Sequence, residues 1–202
     1  MIKTVIFDLG KVIVPFDLDR GYAALQPYCP YPAADIPRRL AATGLVARFE
    51  AGRISSEEFV AQFSALLGLS VTYDVFRRLW SAIFLPDIIV PEEMLAGISA
   101  RYRMLLLSNT NAIHWDMILE TYPAMRHFHD YVLSYKVGAM KPARAIYEEA
   151  VKRAGCRPEE CFFTDDIADY VAAARQFGID AVQFTGVEQL QRELRARNVA
   201  WS

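Results

Sequence analysis

A doubly wound α/β sheet with a helical insertion after its first strand is the fold class this sequence predicts, on three observations. The first is Thr4-Val5-Ile6-Phe7, an apolar and β-branched run that ends in one acid, Asp8, as a strand buried on both faces of a parallel sheet would. The second is the spacing of the later short apolar runs, Met104–Leu107, Tyr131–Leu133, Cys161–Thr164 and Ala181–Phe184, each separated from the next by a helical pattern. Parallel strands joined by helical crossovers give that alternation. The third is the texture of residues 16–90, which carry helical periodicity and no convincing strand. One core of residues 1–15 and 91–202 with a helical cap at 16–90 is therefore expected, in keeping with a chain of 202 residues.

Each element has a local reason. Pro27, Pro30, Pro32 and Pro37 break the start of the insertion into short pieces. Ser55 with Glu58 forms a capping box, and Ile54 and Phe59 stand at the positions of a hydrophobic staple. Phe59, Phe63, Leu66 and Leu67 then share one helical face. A second cap helix is expected from Tyr73 to Phe84. Pro91, Glu92 and Glu93 make a favourable first turn for a helix ending near Tyr102. Further helices are expected from Ala112, after Lys141-Pro142 (with Tyr147, Ala150, Val151 and Ala154 on one face and Gly155 as the stop), up to Phe177 before Gly178, and from Val187.

Parallel strands put their carboxyl ends on one edge of the sheet, where open α/β folds bind ligands. Asp8, Ser108 and the Asp165-Asp166 pair all fall at such ends, and Lys141 lies in a loop that can reach the same edge. Taken singly, each has an ordinary structural use as a turn residue, a helix cap or a solvated lysine. Together they are unusual. Clustered carboxylates repel unless a cation holds them, and hard oxygen ligands with few protein contacts suit Mg²⁺. A hydroxyl, loop N–H groups and an ammonium beside such a metal make an anion cradle. The set fits phosphoryl transfer, in which a carboxylate can serve as the covalent acceptor.

Composition narrows the partners. Hydrophobic residues make up 53% and charged residues 23%, with a net charge of −2 and no Lys/Arg-rich block, so nucleic acid is not expected. Three cysteines, Cys29, Cys156 and Cys161, lack metal-ligand spacing and predict a reducing compartment, the cytoplasm. Neither a signal peptide nor a membrane span is expected. His114, His127 and His129 are read as structural or exposed, and Phe49, Trp80 and Phe84 as cap core. In the cap, Gly44, Arg48 and Glu50 are candidates to face a substrate.

Four stretches in register, Phe7-Asp8-Leu9-Gly10, Leu107-Ser108-Asn109, Lys141-Pro142 and Asp165-Asp166, resemble in order and spacing the motifs of the haloacid dehalogenase-like hydrolases. The block at 16–90 is similar to their cap, so the resemblance covers nearly the whole chain. Within that family the likeness is to small bacterial phosphatases with an Asp-Leu-Gly opening, among them those acting on sugar 1-phosphates such as α-D-glucose 1-phosphate. The resemblance implies that Asp8 attacks phosphorus and binds Mg²⁺, and that Ser108 and the Asn109 backbone N–H hold the phosphoryl group. It implies further that Lys141 neutralises Asp8 and the transferring group. Asp166 would bind the metal directly, Asp165 directly or through water, and Gly10 through its carbonyl, with Asp169 orienting the loop. The expected partner is a small phosphorylated metabolite.

One departure stands out. Most phosphatases that this chain resembles carry a second aspartate two residues after the nucleophile, and Gly10 occupies that place. Glycine can offer its carbonyl to a metal but cannot move a proton, a role that contributes ~10²–10⁴-fold. Leaving groups that need little protonation, such as an anomeric oxygen, are therefore expected to be preferred. Two alternatives remain open at this stage: a dehalogenase built on the same nucleophile, and a phospho-ligand binder without turnover.

Overall fold

The structure is a computed structural model and describes residues 1–201. Its centre is a parallel five-stranded sheet in the order β3-β2-β1-β4-β5. The strands are β1 (Thr4–Phe7), β2 (Arg103–Ser108), β3 (Asp130–Leu133), β4 (Cys161–Asp165) and β5 (Asp180–Gln183). From β1 in the middle the chain winds outward through β2 and β3, then returns to β4 on β1's other side. The strand order therefore reverses beside β1, the place where such sheets open a crevice at their carboxyl ends. Register aligns those ends: Phe7 pairs with Leu106 and with Thr164, so Asp8, Ser108 and Asp165 leave the sheet along one edge.

Between β1 and β2 the chain forms α1 (Leu18–Leu25), α2 (Ile36–Ala41), α3 (Leu45–Glu50), α4 (Ser56–Leu67), α5 (Tyr73–Trp80) and α6 (Glu92–Ser99). Beyond β2 come α7 (Ala112–Thr121), α8 (Ser134–Val137), α9 (Arg144–Ala154), α10 (Ala168–Phe177) and α11 (Val187–Ala196). α4 opens with both halves of the Ser55–Glu58 capping box, and α9 and α10 stop at Gly155 and Gly178 in the left-handed conformation. The second cap helix ends at Trp80, short of the expected Phe84, because Ser81–Ile83 tightens into a 3-10 turn and Phe84 turns extended to bridge Phe16. The helix after Pro91 likewise ends at Ser99. The last strand covers Asp180–Gln183, one residue earlier than the apolar run suggested, because Asp180 pairs with Phe162.

Burial divides into three clusters. One face of the sheet packs Val5, Phe7 and Leu106 against Leu95, Ile98, Trp115, Ile118 and Leu190. The other packs Ile6, Leu105, Leu107 and Phe163 against α9 and α10. The third lies within the inserted helices around Phe49, Phe59, Phe63 and Phe76, and reaches the sheet domain at the start of α7, through Ile113 with Ala112 packed beside it. Phe49 and Phe59 stack with ring centroids 4.2 Å apart. Two paired stretches frame the insertion, with the Asp17 N–H donating to the Ile83 carbonyl and the Leu85 N–H to the Pro15 carbonyl. Ile88, Ile89 and Val90, placed with the cap from sequence, pack against the sheet's core instead.

The insertion is also pinned at a second point. Gly52, at φ +66°, sits so close to α8 that a Cβ there would lie 2.1 Å from the Tyr135 carbonyl oxygen. Only glycine allows that approach. It fixes the end of α3 against the sheet domain.

Candidate active site

The strand-end loops converge on one buried ammonium. Lys141 Nζ donates to Asp8 Oδ1 at 2.6 Å, to Asp165 Oδ2 at 2.5 Å and to the Leu107 carbonyl at 3.1 Å. Asp8, Asp165 and Asp166 each bring a carboxylate oxygen to within 4.8 Å of one another. Two of these acids are buried and Asp166 is half-buried. Burial pushes the Asp8 carboxyl up to about 7, with Lys141 pulling it down and Asp165 pushing it further up. Burial works against the charge of Lys141, yet the two carboxylates outweigh it and hold its pKa above the usual lysine value. Burial and Asp165 raise Asp166 as well, and Lys11 opposes them.

One ammonium does not balance three clustered acids, which is the charge pattern a divalent cation would complete. Asp165 spends both oxygens within the protein, on Lys141 and on the Ile167 N–H at 2.9 Å. The Asp166 carboxylate has no such partner among the described residues, which suits a ligand that faces outward.

Lys141 is held by a clamp that the sequence did not reveal. The Asn109 side chain donates to the Lys141 carbonyl at 3.0 Å and accepts from the Lys141 N–H at 2.8 Å. Asn109 Nδ2 also lies 3.4 Å from the Tyr170 hydroxyl, and the Tyr170 ring centroid is 5.2 Å from Lys141 Nζ. The available signal for Tyr170 was its place in the first turns of the helix after the acidic pair. Ser108 is buried at the end of β2, its hydroxyl making only a long contact of 3.4 Å with the Asn109 carbonyl. Asp169 lies exposed in the first turn of α10 and makes no side-chain hydrogen bond among the described residues, so the loop-orienting bond expected of it is absent.

Above this edge a cavity of about 560 Å³ opens toward the insertion. Its polar floor includes Gly10, Ser108 and Asn109; its walls are mostly apolar, with Leu18, Leu40, Trp80 and Phe84 prominent. Trp80 and Phe84, assigned to cap core from sequence, thus also line the cavity, while Phe49 is core alone. Of the three cap candidates, Gly44 and Glu50 line it. Arg48 does not; its guanidinium turns to Gln62 at 3.2 Å. His114 stacks on Trp80, and both ring nitrogens are engaged, one with Asn111 Nδ2 at 3.2 Å and one with the Trp80 carbonyl at 3.1 Å. Burial lowers its pKa to about 4, so it is a neutral wall. His127 and His129 are likewise committed, to Glu92 and to the Met104 N–H.

Gly10 faces Phe16. A Cβ on residue 10 would come within 2.7 Å of the Phe16 ring, so the aromatic occupies the space that a longer side chain would need.

Comparison with known proteins gives a consistent picture. A family model described as haloacid dehalogenase-like hydrolase matches residues 2–178. D-ribitol-5-phosphate phosphatase of Bacteroides thetaiotaomicron is 30% identical over 192 residues, covering 91% of this chain and 92% of the relative. A HAD family enzyme from the same organism, solved with magnesium and inorganic phosphate, superposes with a TM-score of 0.81 at 25% identity over 92% of this chain and 96% of its own. A HAD-like family hydrolase from Porphyromonas gingivalis gives 0.84 at 28% identity over 96% and 98%.

Proposed function

The chain belongs to the haloacid dehalogenase-like hydrolases, and from that premise we propose that it is a Mg²⁺-dependent phosphatase of small phosphate monoesters, working through an aspartyl-phosphate on Asp8. The observation that carries the reading is the buried edge itself: three carboxylates within 4.8 Å, crossed by a single lysine. Phosphoryl transfer is governed by positioning and charge neutralisation, and this edge offers both.

Asp8 is the nucleophile. Lys141, bonded to it at 2.6 Å, favours the ionised carboxylate against its burial and neutralises charge on the transferring group. The Ser108 hydroxyl and the Asn109 backbone N–H hold the phosphoryl oxygens, and the Asn109 side chain keeps the lysine loop in place. Asp8, Asp166 and the Gly10 carbonyl would hold Mg²⁺, with Asp165 joining directly or through water. When bound, that ion supplies electrostatic stabilisation of the phosphoryl charge. The deployment of carboxylates as a cluster favours this reading over a dehalogenase, for which uncompensated acids would only repel an anionic substrate.

The leaving group enters the cavity above. A polyol there would leave several hydroxyls against apolar walls, at ~1–3 kcal/mol for each one unpaired. The walls therefore favour an aromatic or branched aliphatic skeleton over the sugar 1-phosphate expected from sequence or the ribitol 5-phosphate of the relative. The three free thiols fit a reducing compartment such as the cytoplasm, and no described helix is long and apolar enough to cross a membrane.

The test is phosphate release from p-nitrophenyl phosphate, benzyl phosphate, α-glucose 1-phosphate and ribitol 5-phosphate, with Mg²⁺ and with EDTA, beside Asp8→Asn. Turnover that needs both metal and Asp8, greatest on the aromatic esters, is expected. Metal-independent turnover would remove the mechanism, and a preference for ribitol 5-phosphate would remove the substrate assignment.

A further inference from the structure

We propose that Glu50, on the inserted helices, is the proton donor and acceptor that position 10 lacks. The inference rests on the phosphatase reading above and names the group that completes it. Hydrolysis of an ordinary alkyl or aryl ester needs an acid for the departing oxygen and a base for the incoming water. Gly10 supplies neither, and the Phe16 ring fills the room beside it. The replacement must come from elsewhere on the cavity wall.

Among the described residues Glu50 is the only carboxylic acid on that wall, which it shares with Gly10, Ser108 and Asn109. It lines the same cavity as Ser108 and Asn109, the residues that leave β2 at the candidate catalytic edge. Its position is fixed. Glu50 ends α3, and two residues later the Gly52–Tyr135 contact seats that end on the sheet domain.

The carboxyl is also uncommitted: among the described residues it has no hydrogen-bond or ion-pair partner. The charged groups on the elements around it are turned to other uses. Arg48 of α3 donates to Gln62 of α4, Arg39 of α2 covers the Tyr31 ring, Lys136 of α8 lies 5.7 Å from the Tyr135 ring, and Glu58 of α4 caps its own helix. Tyr22 and the neutral His114 are the other titratable side chains on this wall, and the Tyr170 phenol lies beyond Asn109. Left among apolar walls, Glu50 is raised by burial to about 7, the range in which a carboxyl can both give and take a proton near neutrality.

The steps balance as follows. An Asp8 oxygen attacks phosphorus, the bond from phosphorus to the ester oxygen breaks, and that oxygen takes the Glu50 proton to leave as the alcohol. Glu50, now a carboxylate, takes a proton from water as the water oxygen attacks the aspartyl-phosphate. The bond from phosphorus to Asp8 breaks, inorganic phosphate departs, and both acids return to their starting states.

The experiment compares wild type, Glu50→Gln and Arg48→Ala with Mg²⁺ on p-nitrophenyl, phenyl and benzyl phosphates, whose leaving groups run from acidic to weakly acidic. Glu50→Gln is expected to lose ~10²–10⁴-fold on benzyl phosphate and much less in the first step on p-nitrophenyl phosphate. Rates therefore fall more steeply with leaving-group pKa. With p-nitrophenyl phosphate the variant should also show a larger burst of p-nitrophenolate than wild type, because hydrolysis of the phosphoenzyme has lost its base. Arg48→Ala should keep the wild-type profile. An equal loss on all three esters without a burst would overturn the role of Glu50 while leaving the phosphatase intact. Absence of wild-type turnover on any ester would overturn the phosphatase reading and this one with it. If Glu50→Gln does not fold, Glu50→Ala assayed with added formate replaces it: rescue on benzyl phosphate supports the role, and a folded variant without rescue contradicts it.

Discussion

Removing the Lys141 ammonium while keeping its stem, as in Lys141→Met, perturbs the site at the point where most of its charge meets. The side chain is 1% exposed, and its Nζ is the one protein cation bonded to both Asp8 and Asp165, at 2.6 and 2.5 Å. Taking one partner out of a buried ion pair costs ~3–5 kcal/mol, because the other charge is left in a poor solvent. Here two carboxylates are left, so the upper part of that range applies to the metal-free protein. A folded domain has ~5–15 kcal/mol to lose, so the variant should remain folded but visibly weakened. With an m-value of ~2 kcal/mol per molar urea, the unfolding midpoint in EDTA should fall by about 2 M. Mg²⁺ should recover part of this loss, since a divalent ion neutralises the same acids, and ligand at a hundred times its Kd adds ~2.7 kcal/mol. With no ammonium competing for those acids, the Mg²⁺-induced gain should be larger in the variant than in wild type. Activity should fall at least a hundredfold, because the nucleophile loses the partner that favours its ionised form. The assay is urea unfolding of both proteins in EDTA and in Mg²⁺ at matched ionic strength. A midpoint within 0.5 M of wild type in EDTA, or an equal Mg²⁺ gain in both proteins, would refute the charge balance described here.

Other consequences can be measured alongside. Asp166→Asn removes the carboxylate without a protein partner and should weaken Mg²⁺ binding, read by calorimetry, with little change in metal-free stability. Gly52→Ala places a Cβ 2.1 Å from the Tyr135 carbonyl at a φ of +66°, so it should cost more than ~1 kcal/mol and raise KM by loosening the insertion from the sheet domain. Gly10→Asp should not restore a position-10 acid, because its Cβ meets the Phe16 ring at 2.7 Å; thermal unfolding should show a loss of ~1–3 kcal/mol. The pH profile should depend on the ester. Benzyl phosphate, limited by leaving-group protonation, should slow as pH rises through the Glu50 pKa of about 7. p-Nitrophenyl phosphate, limited by attack of water, should slow as pH falls through it, and Glu50→Gln should flatten the high-pH limb on benzyl phosphate.

The clustering of the candidate site residues was legible in the sequence because a parallel sheet converts strand ends into neighbours. Asp8, Ser108 and Asp165 are far apart in the chain, but pairing sets Asp8 level with Asp165 and one residue short of Ser108, and an apolar run ending in a polar residue marks each one. Capping box and stop glycines were legible because they are local chemistry. The short helices between the prolines of the insertion carried no comparable signal, since tertiary packing around Phe49 and Phe59 stabilises pieces too short to show a period. The Asn109 clamp on Lys141 was hidden for a different reason: an asparagine after a strand reads as turn chemistry until its partner's loop is seen beside it. The cavity wall was hidden most completely. Leu18, Leu40, Trp80 and Phe84 meet there from separate elements, and each is also a reasonable core residue, so sequence alone assigns Trp80 and Phe84 to the core. Glu50 could be named as a candidate but not ranked above Arg48, because only packing shows which of the two turns inward.

The central claim is that Asp8 carries the phosphoryl group. Rapid acid quench during turnover of p-nitrophenyl phosphate with Mg²⁺, followed by peptide mass spectrometry, tests it directly. One phosphoryl group on the peptide containing Asp8, absent in EDTA and in Asp8→Asn, is the predicted result. Phosphate release with no labelled Asp8 under any quench time, or a label that persists in Asp8→Asn, would contradict the account.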